Sequence, residues 1–208
     1  MAIDPNAYQI KSNSRTIDDF KSRLVGGGAR PNLFEVKMSF PNTEIFGGTE
    51  SEYRMMVKGA QLPASNVAEV VVPFRGRQLK VAGDRRFDPW TITILNDNDF
   101  DLRAAFERWA NFIVKVNDGS GTLNPADYMA SWEVYQLGRA NQQLDKSAEQ
   151  NENNLPVARA YKMMGCWPSV VSAIELSYDS ADTIEEFQVT MQVQYWEAYD
   201  KDKNPSVV

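Results

Sequence analysis

The 208-residue sequence predicts a mainly β fold, two packed antiparallel sheets of sandwich or barrel type with one flanking α-helix. Three observations carry this. Apolar and polar residues alternate with period two from Leu33, strand-like runs recur at short intervals to Trp196, and a single long segment has a helical apolar stripe. A chain of this length can bury roughly 70% of its unfolded surface, enough for a core of its own.

Residues 1–28 read as an amino-terminal arm with a short helix. Thr16 is placed to cap it, Asp19 follows three residues later as in a capping box, and Ile17, Phe20 and Leu24 share one face. Gly26, Gly27 and Gly28 then end it. Two turns of helix are unstable alone, so this face is expected to dock on its own domain or on a neighbouring subunit. The main domain is read as residues 29–197. Its strands are expected at Leu33–Phe40, Tyr53–Ala60, Val67–Pro73, Gln78–Ala82, Trp90–Leu95, Ser131–Leu137, Ala160–Cys166, Ser172–Tyr178 and Glu186–Trp196. Between the fifth and sixth runs, Leu102, Ala105, Phe106, Trp109, Phe112 and Ile113 mark the helix. Asn98 or Asp99 is its expected cap, with Asp99 and Asp101 at its positive end and Lys115 at its negative end. Loops are expected at Pro41–Glu52, Val116–Asp127 and Arg139–Pro156. The last, residues 139–157 in the domain division, is an Asn/Gln-rich polar insertion, and residues 198–208 form a charged tail.

Composition excludes much chemistry. The chain has no histidine and one cysteine, Cys166, which removes histidine-dependent triads, Cys/His zinc sites and intramolecular disulfides. Cys166 lies in an apolar run and reads as packing. No apolar run is long enough to span a bilayer and the start lacks a secretory pattern, so a soluble chain in an internal compartment is expected. The net charge of −6 argues against tight binding to nucleic acid. Asp97, Asp99 and Asp101 match the first ligand spacings of a calcium loop, but Leu102 stands at the glycine position and Arg108 at the glutamate position. Helix capping is the preferred reading. No phosphate-binding glycine motif follows a strand, and carboxylate pairs such as Glu185–Glu186 with Asp179 have no fixed separation. No catalytic, cofactor or metal residues are assigned. The cluster Asp84, Arg85, Arg86, Phe87 and Asp88, after a turn centred on Gly83, is either a solvated turn or a contact surface, since arginine pairs bidentately with carboxylates of another chain.

Several segments together resemble the tail tube protein of contractile-tailed (myovirus) bacteriophages. They are Ala29-Arg30-Pro31-Asn32-Leu33-Phe34, Leu62-Pro63, Val72-Pro73-Phe74, Val81-Ala82-Gly83-Asp84-Arg85, Phe87-Asp88 with Trp90-Thr91 and Thr93, and Asn96-Asp97. Toward the carboxyl end, Gly165-Cys166-Trp167-Pro168 resembles a Gly-x-Trp-Pro turn of that family, and Glu186–Thr190 with Tyr195-Trp196-Glu197 its last strand. The resemblance implies a non-catalytic structural subunit of the virion tail, assembled in the host cytoplasm without membrane insertion or cofactor. It implies hexameric rings that stack into a conduit inside a contractile sheath, an inner β-barrel continuous around each ring, and passage of viral DNA without tight or sequence-specific binding. Sheath, baseplate and tail terminator proteins are the implied partners. Asp84, Arg85, Arg86, Phe87 and Asp88, with Ile17, Phe20 and Leu24 of the arm, are the expected inter-subunit or inter-ring contacts. The insertion, with or without the arm, is expected on the tube exterior or between rings, and the lumen is expected to be net negative. Two other readings exist: a tube subunit of a type VI secretion or phage-derived contractile injection system, and a β-sandwich carbohydrate-binding or hydrolase module.

Overall fold

The computed structural model describes residues 17–24, 28–41, 56–139 and 157–199. Its elements are α1 (Ile17–Arg23), β1 (Phe34–Lys37), β2 (Val57–Ala60), β3 (Ser65–Phe74), β4 (Arg77–Phe87), β5 (Trp90–Leu95), α2 (Asp101–Ile113), α3 (Pro125–Tyr128), β6 (Ala130–Leu137), β7 (Val157–Val171), β8 (Glu186–Gln192) and β9 (Tyr195–Tyr199). Seven strands run β1-β6-β7-β8-β5-β2 with β9 also on β7, and every pairing is antiparallel. Among the described residues β3 and β4 pair only with each other, as a separate hairpin.

The two layers share one strand. The first part of β7 pairs with β6 on one side and β9 on the other, while Trp167–Val171 pairs with β8 in the second layer. Gly165 sits at the crossing with φ +64, and a Cβ there would lie 2.6 Å from Gln194 Cγ. Only glycine meets both demands. The expected turn at Gly165–Pro168 is therefore a bend within a continuous strand. It remains in the ladder because Cys166 and Pro168 turn inward and keep pairing opposite Ala130 and Met191. The strand expected at Ser172–Tyr178 is instead part of the connection from β7 to β8, with Leu176 and Tyr178 projecting into solvent. Conversely, the run expected as one strand from Glu186 to Trp196 is two. The chain passes from one layer to the other at Val193–Gln194, beside Gly165, where Gln194 N–H donates to Met164 O at 3.1 Å.

Period-two patterning positions the core. Trp90, Ile92 and Ile94 of β5 stand opposite Met191, Val189 and Phe187 of β8, and all six point inward. Trp132 of β6 is the centre of an aromatic cluster, with ring centroids 6.0 Å from Phe40, Trp90 and Phe106 and 6.4 Å from Trp109. Burying ~200 Å² of such a ring contributes about 5 kcal/mol at ~25 cal/mol/Å². The indole N–H groups have acceptors: Trp132 on Ser39 O at 2.7 Å, Trp109 on Tyr128 O at 2.8 Å, Trp90 on Gln61 O at 2.6 Å. The helical stripe lies where expected: Leu102, Ala105, Phe106 and Trp109 of α2 are fully buried, and Phe112 and Ile113 pack at the margin.

The start of α2 differs from expectation. Its N-cap is Phe100, in the left-handed region with φ 59, and no side chain caps the helix. Asn96 Nδ2 donates to Glu185 Oε2 at 3.0 Å, and one carboxylate oxygen of Asp97 is buried without a partner among the described residues. Asn98 and Asp99 are thus not caps, although Asp101 does occupy the first turn. Lys115 falls just past the C-cap, Val114. The loop expected at Val116–Asp127 contains the start of α3, where Asn124 Oδ1 accepts from Ala126 N–H and Pro125 opens the turn. β9 continues to Tyr199, two residues past Glu197, with Ala198 buried. The insertion beyond Arg139 as far as Pro156, the carboxyl tail after Tyr199, and most of the loop expected at Pro41–Glu52 lie outside the described residues.

Candidate assembly surfaces

The hairpin β3–β4 is where this chain departs from an ordinary globular surface. Arg75 (φ 47) and Gly76 (φ 80) form a two-residue turn of the kind whose twist suits a hairpin. In the register Val70↔Val81, Val72↔Leu79 and Phe74↔Arg77, alternate residues share one side. Val70, Val72, Phe74, Leu79 and Val81 therefore make one continuous apolar face. All five are exposed, Phe74 by 65% and Leu79 by 59%. On the other side Val71, Pro73, Gln78 and Lys80 are joined by Glu69, and Lys80 Nζ pairs with Glu69 at 2.8 Å. A two-stranded ribbon is marginal in water by itself, and among the described residues this one has no further strand on either edge.

The base of the hairpin is tied to the sandwich. Phe87 meets Trp196 edge to face at 6.2 Å, Trp196 Nε1 donates to Ala64 O at 2.9 Å, and Asn66 Nδ2 donates to Asp88 Oδ2 at 2.6 Å. Here the expected contact cluster is found. Asp84, Arg85, Arg86 and Phe87 belong to β4, with Arg85 opposite Val67 and Arg86 opposite Asn66. Gly83 is no turn: it lies in β4 beside a register shift, and a Cβ there would crowd Ala68 O at 3.0 Å. The cluster is therefore an extended, exposed edge rather than a solvated turn, with only Phe87 half-buried. Ile17 and Phe20 of α1 and Leu24 just after it are also exposed, Ile17 by 69%. The structure brings Asp84–Asp88 and the apolar hairpin face onto one element.

The outward faces of the two layers differ in chemistry. Across β1, β6, β7 and β9, Lys37, Glu133, Lys162 and Glu197 stand in register, a row of alternating sign, with the Tyr199 hydroxyl donating to Glu197 at 2.7 Å. Across β5 and β8 the outward residues are Thr91 with Thr190 and Thr93 with Gln188, and the threonine hydroxyls lie 3.2 Å apart. The same row ends at Leu95 opposite Glu186, whose carboxylate pairs with Lys58, so the face is polar and its one acidic group is in an ion pair.

Burial pushes the Cys166 thiol up to about 12, against a smaller opposing effect of the Trp132 backbone hydrogen bond, which leaves it a protonated packing group. Among the described residues no group of three acidic or thiol side chains is placed to hold a metal ion, Asp97, Asp99 and Asp101 included.

Residues 29–199 match the family described as phage tail tube protein. The chain belongs to this family. It is 32% identical over 182 residues to the tail tube protein gp19 of Enterobacteria phage T4, covering 87% of this chain and 99% of that protein. Against the tail tube protein of Serratia phage KSP90 the identity is 24% over 185 residues, 88% of this chain and 96% of the other. Among solved structures, a chain of the anti-feeding prophage baseplate superposes with a TM-score of 0.57 at 12% identity, covering 84% of this chain and 97% of that one. At such identity the likeness concerns the fold alone.

As a myovirus tail tube protein, the chain is a structural subunit of the tail tube and a component of the virion tail. The family match begins at Ala29, which leaves α1 outside it, and ends at Tyr199, the last residue of β9. No described helix is long and apolar enough to cross a membrane. The apolar hairpin face was missed in the sequence, although two Val/Leu-rich alternating runs flank Arg75-Gly76, a two-residue break of hairpin length.

Proposed function

We propose that six copies of this tail tube protein close into a ring, that rings stack into a hollow conduit within a contractile sheath, and that viral DNA passes through it during ejection. The observation that carries this is the hairpin: an apolar face and two open edges on a water-exposed ribbon need a partner, and a closed ring supplies one. In this reading Asp84, Arg85, Arg86, Phe87 and Asp88 contact a neighbouring subunit along β4, and Ile17, Phe20 and Leu24 of the arm dock on a neighbour rather than on their own domain. Strands from each copy continue into an inner barrel around the ring. The subunit has no enzymatic role. Sheath, baseplate and terminator proteins contact the finished tube, and residues 140–156, with or without the arm, lie on its exterior or between rings.

The conduit must not hold its cargo. Each Lys or Arg that neutralises a phosphate adds affinity through counterion release, so a lumen without basic rings lets DNA slide. The outward face of β5 and β8, with threonine and glutamine and no unpaired cation, fits such a wall, and neighbouring carboxylates make the channel net negative overall. A conduit for protein in a non-phage injection system fits less well, because identity is 32% to a phage tail tube protein and 10% to a chain of an extracellular contractile injection system. A sugar-binding module is disfavoured by the tryptophans: Trp90, Trp109 and Trp132 are core residues without a face to offer.

The deciding experiment is electron microscopy of the purified protein. Stacked rings with six subunits and a channel free of basic residues are expected. Dispersed monomers at high concentration, a ring of another order or a strongly basic channel would overturn the corresponding part.

A further inference from the structure

Between β7 and β8, Ser172–Glu185 forms a connection held at both ends. Ser172 N–H donates to Gln188 O at 2.8 Å, Arg103 Nη1 donates to Ser172 O at 3.0 Å, and Asn96 N–H donates to Glu185 O at 2.9 Å. Against it lies an open cavity of about 1430 Å³ lined by Leu95, Ile174, loop side chains and Lys58, whose charge is taken up by Glu186 and leaves Asp179 and Asp182 as the acidic rim. Residues 172–186 carry five acidic side chains and no basic one. Yet Leu176, Tyr178 and Ile184 are strongly exposed there, Tyr178 fully. An acidic rim with apolar side chains left in water is the composition of a surface awaiting a basic, apolar partner.

The same chain carries the complementary shape. In a protein of net charge −6, residues 65–87 hold five basic side chains against two acidic. Two of the five flank the tip: Phe74 is followed by Arg75, whose guanidinium lies 5.4 Å from the Phe74 ring centroid, then by Gly76 and Arg77. A narrow two-residue turn presents one aromatic ring and two guanidinium groups, and the recess offers apolar walls with carboxylates around them.

We infer that the tip of the β3–β4 hairpin, Phe74–Arg77, seats in the acidic recess beneath residues 174–186 of the next copy of this chain. The inference rests on the proposed tube assembly and deepens it. Tip and recess are different surfaces, so the contact is head to tail. Such contacts propagate around a ring or along a stack instead of ending at a dimer. Phe74 enters the apolar part, while Arg75 and Arg77 meet Asp179 and Asp182 at the rim.

The test reverses charge on each surface separately, as Arg75→Glu with Arg77→Glu and as Asp179→Lys with Asp182→Lys, on the full chain. Sedimentable tube is read by pelleting and microscopy, and circular dichroism checks that each variant keeps the wild-type fold. Each variant alone is expected to lose at least about tenfold of its tube, because like charges then face each other. An equimolar mixture restores it to within about twofold, since every contact in an alternating assembly again joins opposite charges. A folded loop variant that assembles normally, or a mixture that stays unassembled while wild type forms tubes, overturns the tip-in-recess contact and leaves the tube reading intact. Wild-type protein that forms no tube overturns both.

Discussion

The sandwich and the hairpin of this chain follow opposite rules, although both are antiparallel β-structure from one sequence. In the sandwich, period-two alternation separates a fully buried face from a polar one, and the core indoles have their acceptors within the chain. In the hairpin one side is apolar and the other mixed, with Val71 and Pro73 beside Glu69 and Lys80, and the apolar side faces water. Alternation therefore identifies a face that must be covered without saying by what. The sandwich is covered by its own second layer. We read the hairpin as covered by other copies, which makes it an assembly element whose stability is completed only in the tube.

The contrast is broken most severely from the sandwich side. Trp132→Ala removes the ring that touches Phe40, Trp90, Phe106 and Trp109 and leaves Ser39 O without its donor. A loss of about 4 kcal/mol is expected from the cavity and the lost burial. Denaturant titration of the monomer measures it, and assembly fails with the fold. Gly165→Ala comes next. It forces a side chain into the left-handed region and against Gln194 at the point where β7 changes layer, for a cost of about 2 kcal/mol. A midpoint equal to wild type would show that the layer crossing is not strained by a Cβ.

The sandwich was largely legible in the sequence because its rules are local. β5, β6 and the α2 stripe lie where the periodicity places them. Three misplacements share a physical cause, namely that tertiary contacts decided the backbone. Gly165-Cys166-Trp167-Pro168 has turn composition, but both neighbouring strands hold it in the ladder. Ser172–Tyr178 alternates like a strand, but past Ser172, which still bonds to Gln188 of β8, it joins no ladder among the described residues. Asp97 and Asp99 look like caps, but the fold turns Asp97 inward and starts α2 at a left-handed Phe100. Of the candidate contacts, Asp84–Asp88 and α1 could be singled out by charge and helical spacing. The apolar face of β3–β4 could not be told from a core strand, since an apolar run does not say whether a second layer covers it.

A milder test acts on the hairpin. Val72→Ser with Leu79→Ser replaces a cross-strand pair that the isolated chain leaves in water. Monomer stability is expected to change by less than about 1 kcal/mol, because little burial is lost. Tube formation should fall by an order of magnitude or more. A variant that assembles as well as wild type would remove the apolar face from the interface.

The smallest effect sharpens the comparison without disturbing either region. Cys166 is buried in the sandwich at the layer crossing, with its thiol pushed up to about 12 by burial. In the unfolded chain the same thiol ionises near its ordinary value of about 8.5. Between those values the unfolded state binds fewer protons than the native one, so this group's contribution to stability is intact below pH ~8.5. It then declines as pH rises toward 12, by at most about 1.4 kcal/mol per pH unit. Cys166→Ala should flatten that part of the alkaline stability profile. The thiol also reports on the closed sandwich: thiol reagent should label it only through unfolding, and equally slowly in wild type and in the Val72/Leu79 variant. Faster labelling in the hairpin variant would mean that the ribbon supports the sandwich, and that the two regions are not the separate devices their opposite burial describes.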